Sequence, residues 1–350
     1  MQITAVGHAF PDHYYDQETL LEAFKQVWGR EHHNTDRLER LHRNVLVGGR
    51  HLALPIDAYD ELTTWGEAND AWIRVARRVG GEALRKALDI AELDASQVDA
   101  IFSTTVTGLA TPSLDARLVN DLGLPPRIKR TPLFGLGCVA GAAGIARAAD
   151  YVRAFPEHTA VLLSVELCSL TLQREDLSVA NLIASGLFGD GAAAVVVRGA
   201  ACASSRPCPR VVDTRSVFYP DTEDVMGWKI SERGFGIVLS ADVPKMVTEH
   251  LGRDVDTFLG AHGLTRDDIS RWIAHPGGPK VLEAMATTLA LPDDALEPTW
   301  RSLREVGNLS STSVLLVLEE VLESPPAAGD RALMMAMGPG FCSELVLLRF

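Results

Sequence analysis

Apolar residues in this chain come mostly in short unbroken runs rather than in strict polar–apolar alternation. VDAIFSTTV (98–106) and TAVLLSVE (159–166) predict strands buried on both faces, and FGDGAAAVVVR (188–198) predicts a turn leading into another. Between them, FGLGCVAGAAGIARAADYV (134–152) opens on glycines and places Val139, Ile145 and Val152 at near-helical steps, which predicts a turn feeding a helix. The same order returns later in the chain. ISRWIAHPGG (269–278) reads as strand then loop, and EVGNLSSTSVLLVLEEVL (305–322) as glycine turn then helix. RALMMAMGPG (331–340) reads as strand then turn, and FCSELVLLRF (341–350) as a closing strand. Apolar runs alternating with helices predict an α/β fold of two pseudo-equivalent halves, 1–200 and 211–350. The Ser-, Pro- and Ala-rich stretch ACASSRPCPR (201–210) is the expected linker.

The repetition makes a geometric claim. Cys138 and Asn308 occupy matching places, each just after a glycine turn at a helix start, and His275 ends a strand of the second half. If two similar halves pack about a pseudo-twofold axis, all three residues converge near the centre. A thiolate there would be favoured by a helix N-terminus and by an imidazolium neighbour. Attack on a thioester would give an acyl-enzyme and divide acyl transfer into two easier steps. Histidine N–H and asparagine amide donors suit the oxyanion, and the amide does not titrate. Cys, His and Asn together therefore suit decarboxylation of a malonyl thioester to a carbon nucleophile. Each also has an ordinary structural role open to it: core thiol, turn residue, helix cap.

Composition narrows the picture. The chain has 350 residues, 47% hydrophobic and 23% charged, as expected of a compact enzyme. A net charge of −13 argues against nucleic acid or an anionic membrane as the partner. No apolar run approaches the roughly 20 residues of a membrane span, and the start MQITAVGHAFPDHYY lacks a secretory pattern. Five cysteines without paired short spacing fit neither a disulfide framework nor a zinc site, so a reducing cytoplasm and no metal are expected. Residues 24–50 run against the global charge, with six Lys or Arg against three acids. They read either as a solvated helix face or as a dock for an anionic small molecule.

A rival reading attaches to the glycines. Gly135-Leu136-Gly137-Cys138-Val139-Ala140 matches G-x-G-x-x-A, with Glu166 ending the next strand, the outline of a dinucleotide fingerprint. Against that oxidoreductase reading, the preceding RIKRTPLF is polar and short for a central strand.

At GLGCVAGAAG, AHPGGPKVLEA, EVGNLSSTSVLLVLEE, LFGDGAAAVVV and AMGPGF, in this order, the sequence resembles the type III polyketide synthases, the chalcone-synthase family. The resemblance runs nearly end to end. It implies a thiolase fold in αβαβα layers, a homodimer, and no cofactor beyond coenzyme A thioesters as substrates. It makes Cys138 the carrier of starter and growing chain, pairs it with His275, and sets Asn308 with His275 on decarboxylation. Phe188 matches the aromatic gatekeeper between coenzyme A tunnel and cavity. Arg40, Arg43, Arg50 and Lys280, with Gly277, Gly278 and Gly338, fall where coenzyme A is expected.

Several positions depart from the plant pattern. Ile237 stands for a second gatekeeping Phe, Met337 changes the closing loop, and Thr111 replaces a Met that reaches into the partner's cavity. Smaller or more flexible groups favour a long aliphatic starter. Cys168 is expected either to line the cavity or to be a plain core thiol; Cys202 and Cys208 read as incidental. Val106 stands where plant enzymes carry Thr, which would weaken a network of Glu166 and Ser310 and favour lactone release. The whole pattern looks most like bacterial alkylpyrone synthases. That implies an acyl-CoA starter, malonyl-CoA or methylmalonyl-CoA extension and an alkyl pyrone. A starter-condensing ketoacyl synthase of fatty acid synthesis shares Cys, His and Asn and is the near alternative.

Overall fold

The computed structural model describes residues 1–28, 35–202, 204 and 206–350. Part of the basic stretch (29–34) and of the linker (203 and 205) lies outside them. The strands are β1 (Gln2–Ala9), β2 (His13–Asp16), β3 (Gly49–Leu52), β4 (Ala100–Thr104), β5 (Lys129–Leu133), β6 (Thr159–Leu167), β7 (Asp190–Arg198), β8 (Arg210–Phe218), β9 (Met226–Ser231), β10 (Gly234–Leu239), β11 (Arg271–Ala274), β12 (Arg331–Gly338) and β13 (Cys342–Arg349). Nine of them form one mixed sheet in the order β11-β12-β13-β8-β1-β7-β6-β4-β5. The antiparallel join of β1 to β8 divides it in two. Outward from that join, β1-β7-β6-β4 repeats as β8-β13-β12-β11 with the same parallel and antiparallel pairings. Among the described strands, β5 has no counterpart. It is the polar RIKRTPLF segment, and its place at the sheet edge explains its exposure.

The layers follow from which face each strand residue presents. On β6, Val161, Leu163 and Val165 pack on the long helix Trp65–Ile90, while Ala160 and Leu162 face the other way. That second face meets the helices Ala140–Ala154 and Ser313–Glu323, which also cover Ala332, Met334 and Ala336 of β12. The opposite face of β12, Leu333 and Met335, is closed by Gly252–Gly260 and Pro279–Leu289. Helix, sheet, helix, sheet, helix is the expected five-layer thiolase-like arrangement. Since both faces of each half-sheet are buried, unbroken apolar runs suffice and alternation is unnecessary. The long outer helix was not predicted. Its start carries a capping box, Thr64 with Glu67, and a buried stripe through Trp72, Val75, Ala76, Val79 and Ala83.

Candidate active site

The nucleophile turn is built by close packing. Gly137–Val139 form a single 3-10 turn that runs directly into helix Ala140–Ala154. Gly137 has φ +56°, and a Cβ there would sit 2.6 Å from Pro339 Cδ. A Cβ on Gly338 would sit 2.7 Å from the Val139 nitrogen. The 336–340 turn is thus pressed against the Cys138 turn, and the glycines serve that contact rather than an open pyrophosphate cradle. This removes the dinucleotide reading. Gly338, expected near coenzyme A, packs on the backbone of Leu136 and Val139 in the nucleophile turn.

Cys138, His275 and Asn308 line one cavity of about 490 Å³. His275 follows β11, and its backbone N–H donates to Met335 of β12, so strand pairing fixes where its ring enters the cavity. Neither ring nitrogen of His275 has a hydrogen-bond partner among the described residues. Asn308 is held by its backbone: its N–H donates to Leu187 O at 2.9 Å and its carbonyl accepts from Gly189 at 3.0 Å. Its side-chain Oδ1 accepts the Ser310 N–H at 2.8 Å, which leaves the amide NH2 to the cavity. Ser310 adopts φ +48°, an uncommon conformation for a non-glycine residue. Its Oγ lies 3.6 Å from Cys138 Sγ.

Electrostatics differ from the thiolate expected at a helix start. Burial pushes the Cys138 thiol up to about 12. Burial pushes the His275 imidazole down to about 4. Burial penalises the charged form of each group, so the packing favours the neutral thiol and the neutral imidazole. A neutral imidazole is the form that can take the thiol proton.

Phe188 lines this cavity, called the outer one below, and also a second of about 400 Å³, called the inner one, which the exposed Asp57 and Asp60 also border. The β9–β10 hairpin spans both. Ile237 and its pairing partner Trp228 line the inner cavity, Leu239 and its partner Met226 the outer. Cys168 lines the inner cavity and Met337 the outer. Thr111 is exposed and lines neither.

The expected coenzyme A residues separate into two groups. Arg40 and Arg43 are exposed on helix Thr35–Asn44, whose Leu41 and Asn44 border the outer cavity. Arg43 pairs with Glu39 at 2.8 Å. Lys280 is exposed at the same cavity, beside Gly277, and Gly278 precedes helix Pro279–Leu289 with φ +125°. Arg50 does not belong with them. Strand β3 turns its side chain inward; it is 1% exposed, donates to Phe188 O at 3.1 Å and lines the inner cavity.

Glu166 is fully buried, and burial pushes its carboxyl up to about 7. It accepts from the Val106 N–H at 3.1 Å and the Thr107 hydroxyl at 2.9 Å. Thr105 (3.3 Å) and the hydroxyl of Ser311 complete its partners. Two corrections follow. Ser311, not Ser310, is bonded to Glu166, and the hydroxyls expected to be lost at Val106 are supplied by the residues on either side of it. Sequence reasoning missed Thr105, Thr107 and Ser311; the threonines flanking Val106 in TTVTG were the available signal.

Among the described residues, no group of three or more His, Cys, Asp or Glu could hold a metal ion. No described helix is long and apolar enough to cross a membrane.

The chain was compared with known proteins. Residues 1–201 match the N-terminal domain of the chalcone and stilbene synthases, and 210–350 the C-terminal domain. A 1,3,6,8-tetrahydroxynaphthalene synthase of Streptomyces peucetius subsp. caesius is 52% identical, covering 99% of this chain and 93% of the relative. A putative chalcone synthase of Bacillus subtilis (strain 168) is 37% identical, covering 99% and 97%. The crystal structure of the tetrahydroxynaphthalene synthase of Streptomyces coelicolor A3(2), a bacterial type III polyketide synthase, superposes with TM-score 0.93 at 33% identity, covering 100% of this chain and 99% of that one. With a shared fold, end-to-end similarity and both family domains in order, this chain belongs to the chalcone and stilbene synthase family, the type III polyketide synthases.

Proposed function

We propose that this protein primes Cys138 with malonyl-CoA, extends the chain with further malonyl-CoA by decarboxylative Claisen condensation, and closes it by carbon–carbon bond formation to a polyhydroxylated aromatic. Cys138, His275 and Asn308 on one cavity, with Phe188 bordering both it and a second, carry the condensing chemistry. Neutral His275 takes the Cys138 proton. The thiolate attacks the thioester carbonyl and expels coenzyme A, which leaves with the proton. A second malonyl-CoA then loses CO2. The NH2 of Asn308 and an N–H of His275 donate to the enolate oxygen, and the enolate carbon attacks the Cys138 thioester, releasing the cysteine. Arg40, Arg43 and Lys280 hold coenzyme A phosphates at the mouth. The chain supplies nucleophile, base and donors itself, so the reading needs no further cofactor.

Two observations support aromatic closure. Glu166 keeps three hydroxyl partners, the equipment for moving protons during ring closure. A relative 52% identical to this chain is named for a tetrahydroxynaphthalene. A second reading, the alkyl pyrone from a long acyl starter, is favoured by Leu20, Ala23, Phe24, Val27 and Ile56 on the inner cavity. The proposal takes the protein as a homodimer with Thr111 at the shared surface; light scattering of the purified protein reports this directly.

Mass spectrometry of products from purified protein separates the readings. Malonyl-CoA alone is expected to yield the aromatic. Product only when lauroyl-CoA is added establishes the alkyl pyrone instead. A requirement for acyl carrier protein refutes both and restores the ketoacyl synthase alternative.

A further inference from the structure

Arg50 is a buried cation with too few partners. Only 1% of it is exposed. NH1 donates to Phe188 O, and Nε has no hydrogen-bond partner among the described residues. Among the described residues no carboxylate comes within ion-pairing distance of it. Asp190 is the acid that acts on it most strongly, but the oxygens of Asp190 are engaged elsewhere. They accept from Ser169 N at 2.8 Å, from Ala53 N at 2.6 Å and from the Ser169 hydroxyl. The other polar groups nearby, Tyr59 and Cys168, are kept neutral by burial. An arginine left this way costs several kcal/mol unless an anion meets it. Its position is nonetheless rigid. A Cβ on Gly189 would stand 3.4 Å from Arg50 Cβ, and one on Gly307 would stand 3.3 Å from Arg50 Cδ. The two glycines flanking Phe188 and Asn308 thus let the Arg50 stem pass between them, and Arg50 lines the inner cavity with NH1 on the Phe188 carbonyl.

We propose that Arg50 is a specificity-determining residue that binds the terminal carboxylate of a polyketide chain primed with a dicarboxylic acyl thioester. The inference rests on the malonyl-primed reading above and deepens it. A chain begun from malonyl-CoA keeps a free carboxylate at its far end while it grows from Cys138 past Phe188. That carboxylate would supply the direct ion pair that Asp190 does not form with Arg50, and guanidinium is the side chain best shaped for it. Anchoring the far end keeps the reactive chain extended until it is long enough to close. A neutral acyl starter offers Arg50 nothing.

Product profiles of Arg50→Met and Arg50→Lys test the assignment in two reactions, malonyl-CoA alone and hexanoyl-CoA with malonyl-CoA. Arg50→Met is expected to lose about tenfold or more in the malonyl-primed reaction, the scale of a charge-assisted bond, with short lactones replacing the full-length product. Its hexanoyl-primed kcat/KM should change by less than about threefold, and Arg50→Lys should recover part of the malonyl-primed flux. Equal losses in both reactions, or no loss in either, overturn the proposal and leave Arg50 as a support for the Phe188 carbonyl. The unaltered protein gives a readout independent of variant folding. Succinyl-CoA should prime about tenfold better than butyryl-CoA at fixed malonyl-CoA, and equal priming overturns the anchor. If unaltered protein makes nothing from malonyl-CoA alone, the malonyl-primed reading fails, while the succinyl-to-butyryl ratio still reports on Arg50.

Discussion

Cys138 and His275 line one cavity, and burial favours the neutral form of each. Cys138→Ala should abolish acyl loading, read as the mass of the acylated protein. Asn308→Ala should still load but lose about 100-fold in decarboxylation, the scale of one oxyanion donor; release of labelled CO2 measures it. If Asn308→Ala also blocks loading, its role is misassigned. Glu166 gives a pH prediction with a definite sign. Its folded carboxyl titrates at about 7, above the usual 4.5. Between those values the folded protein holds a proton that the unfolded chain has released. Charging the buried carboxyl therefore destabilises the fold as pH rises through 7. Glu166→Gln removes that cost, so the difference in Tm between variant and parent should move in the variant's favour from pH 5 to pH 8. A constant difference contradicts the assignment. His42 acts in the opposite direction. Its imidazole is held down to about 3 by burial, so its contribution to stability is lost as pH falls below about 6.5.

At the scale of elements, two turns and one hairpin decide the site. Gly137 sits at positive φ and against Pro339 at once. Gly137→Ala should cost about 2 kcal/mol or more in urea unfolding, since strain and overpacking both act, and should slow loading of Cys138 next to it. The β9–β10 hairpin places Ile237 in the inner cavity. Ile237→Phe should narrow that cavity and shift acyl starters toward shorter chains; an unchanged starter-length profile excludes the hairpin as the ruler.

At the scale of the molecule, the halves repeat in topology but share their central layer. Helices Ala140–Ala154 and Ser313–Glu323 belong to one apolar cluster with strands of both half-sheets. Each half alone would expose that layer to water, which costs roughly 25 cal/mol per Å². Residues 1–200 and 211–350 expressed separately should aggregate or remain molten, judged by near-ultraviolet circular dichroism, while the intact chain unfolds in one step. Two independently folded halves would show that the layer is not a shared core.

Much of this was legible in the residues. The runs TAVLLSVE and RALMMAMG had to be strands covered on both sides, because only buried strands tolerate such continuity. The glycines around Cys138 marked a turn at a helix start, and the repeated order of elements placed Cys138, His275 and Asn308 on a common centre. These features are local, and a sequence carries local constraints openly. Arg50, Glu166 and the two cavities were decided by distant parts of the chain. Pairing of β3 with the distant β2 turned Arg50 away from the surface where its basic neighbours suggested it would lie. Thr105, Thr107 and Ser311 met at one carboxylate only because β4 and β6 pair and the 310–312 turn packs beneath them. Protonation, too, followed from packing: a cysteine at a helix start favours thiolate in isolation, but the dry interior that folding builds around it favours the thiol.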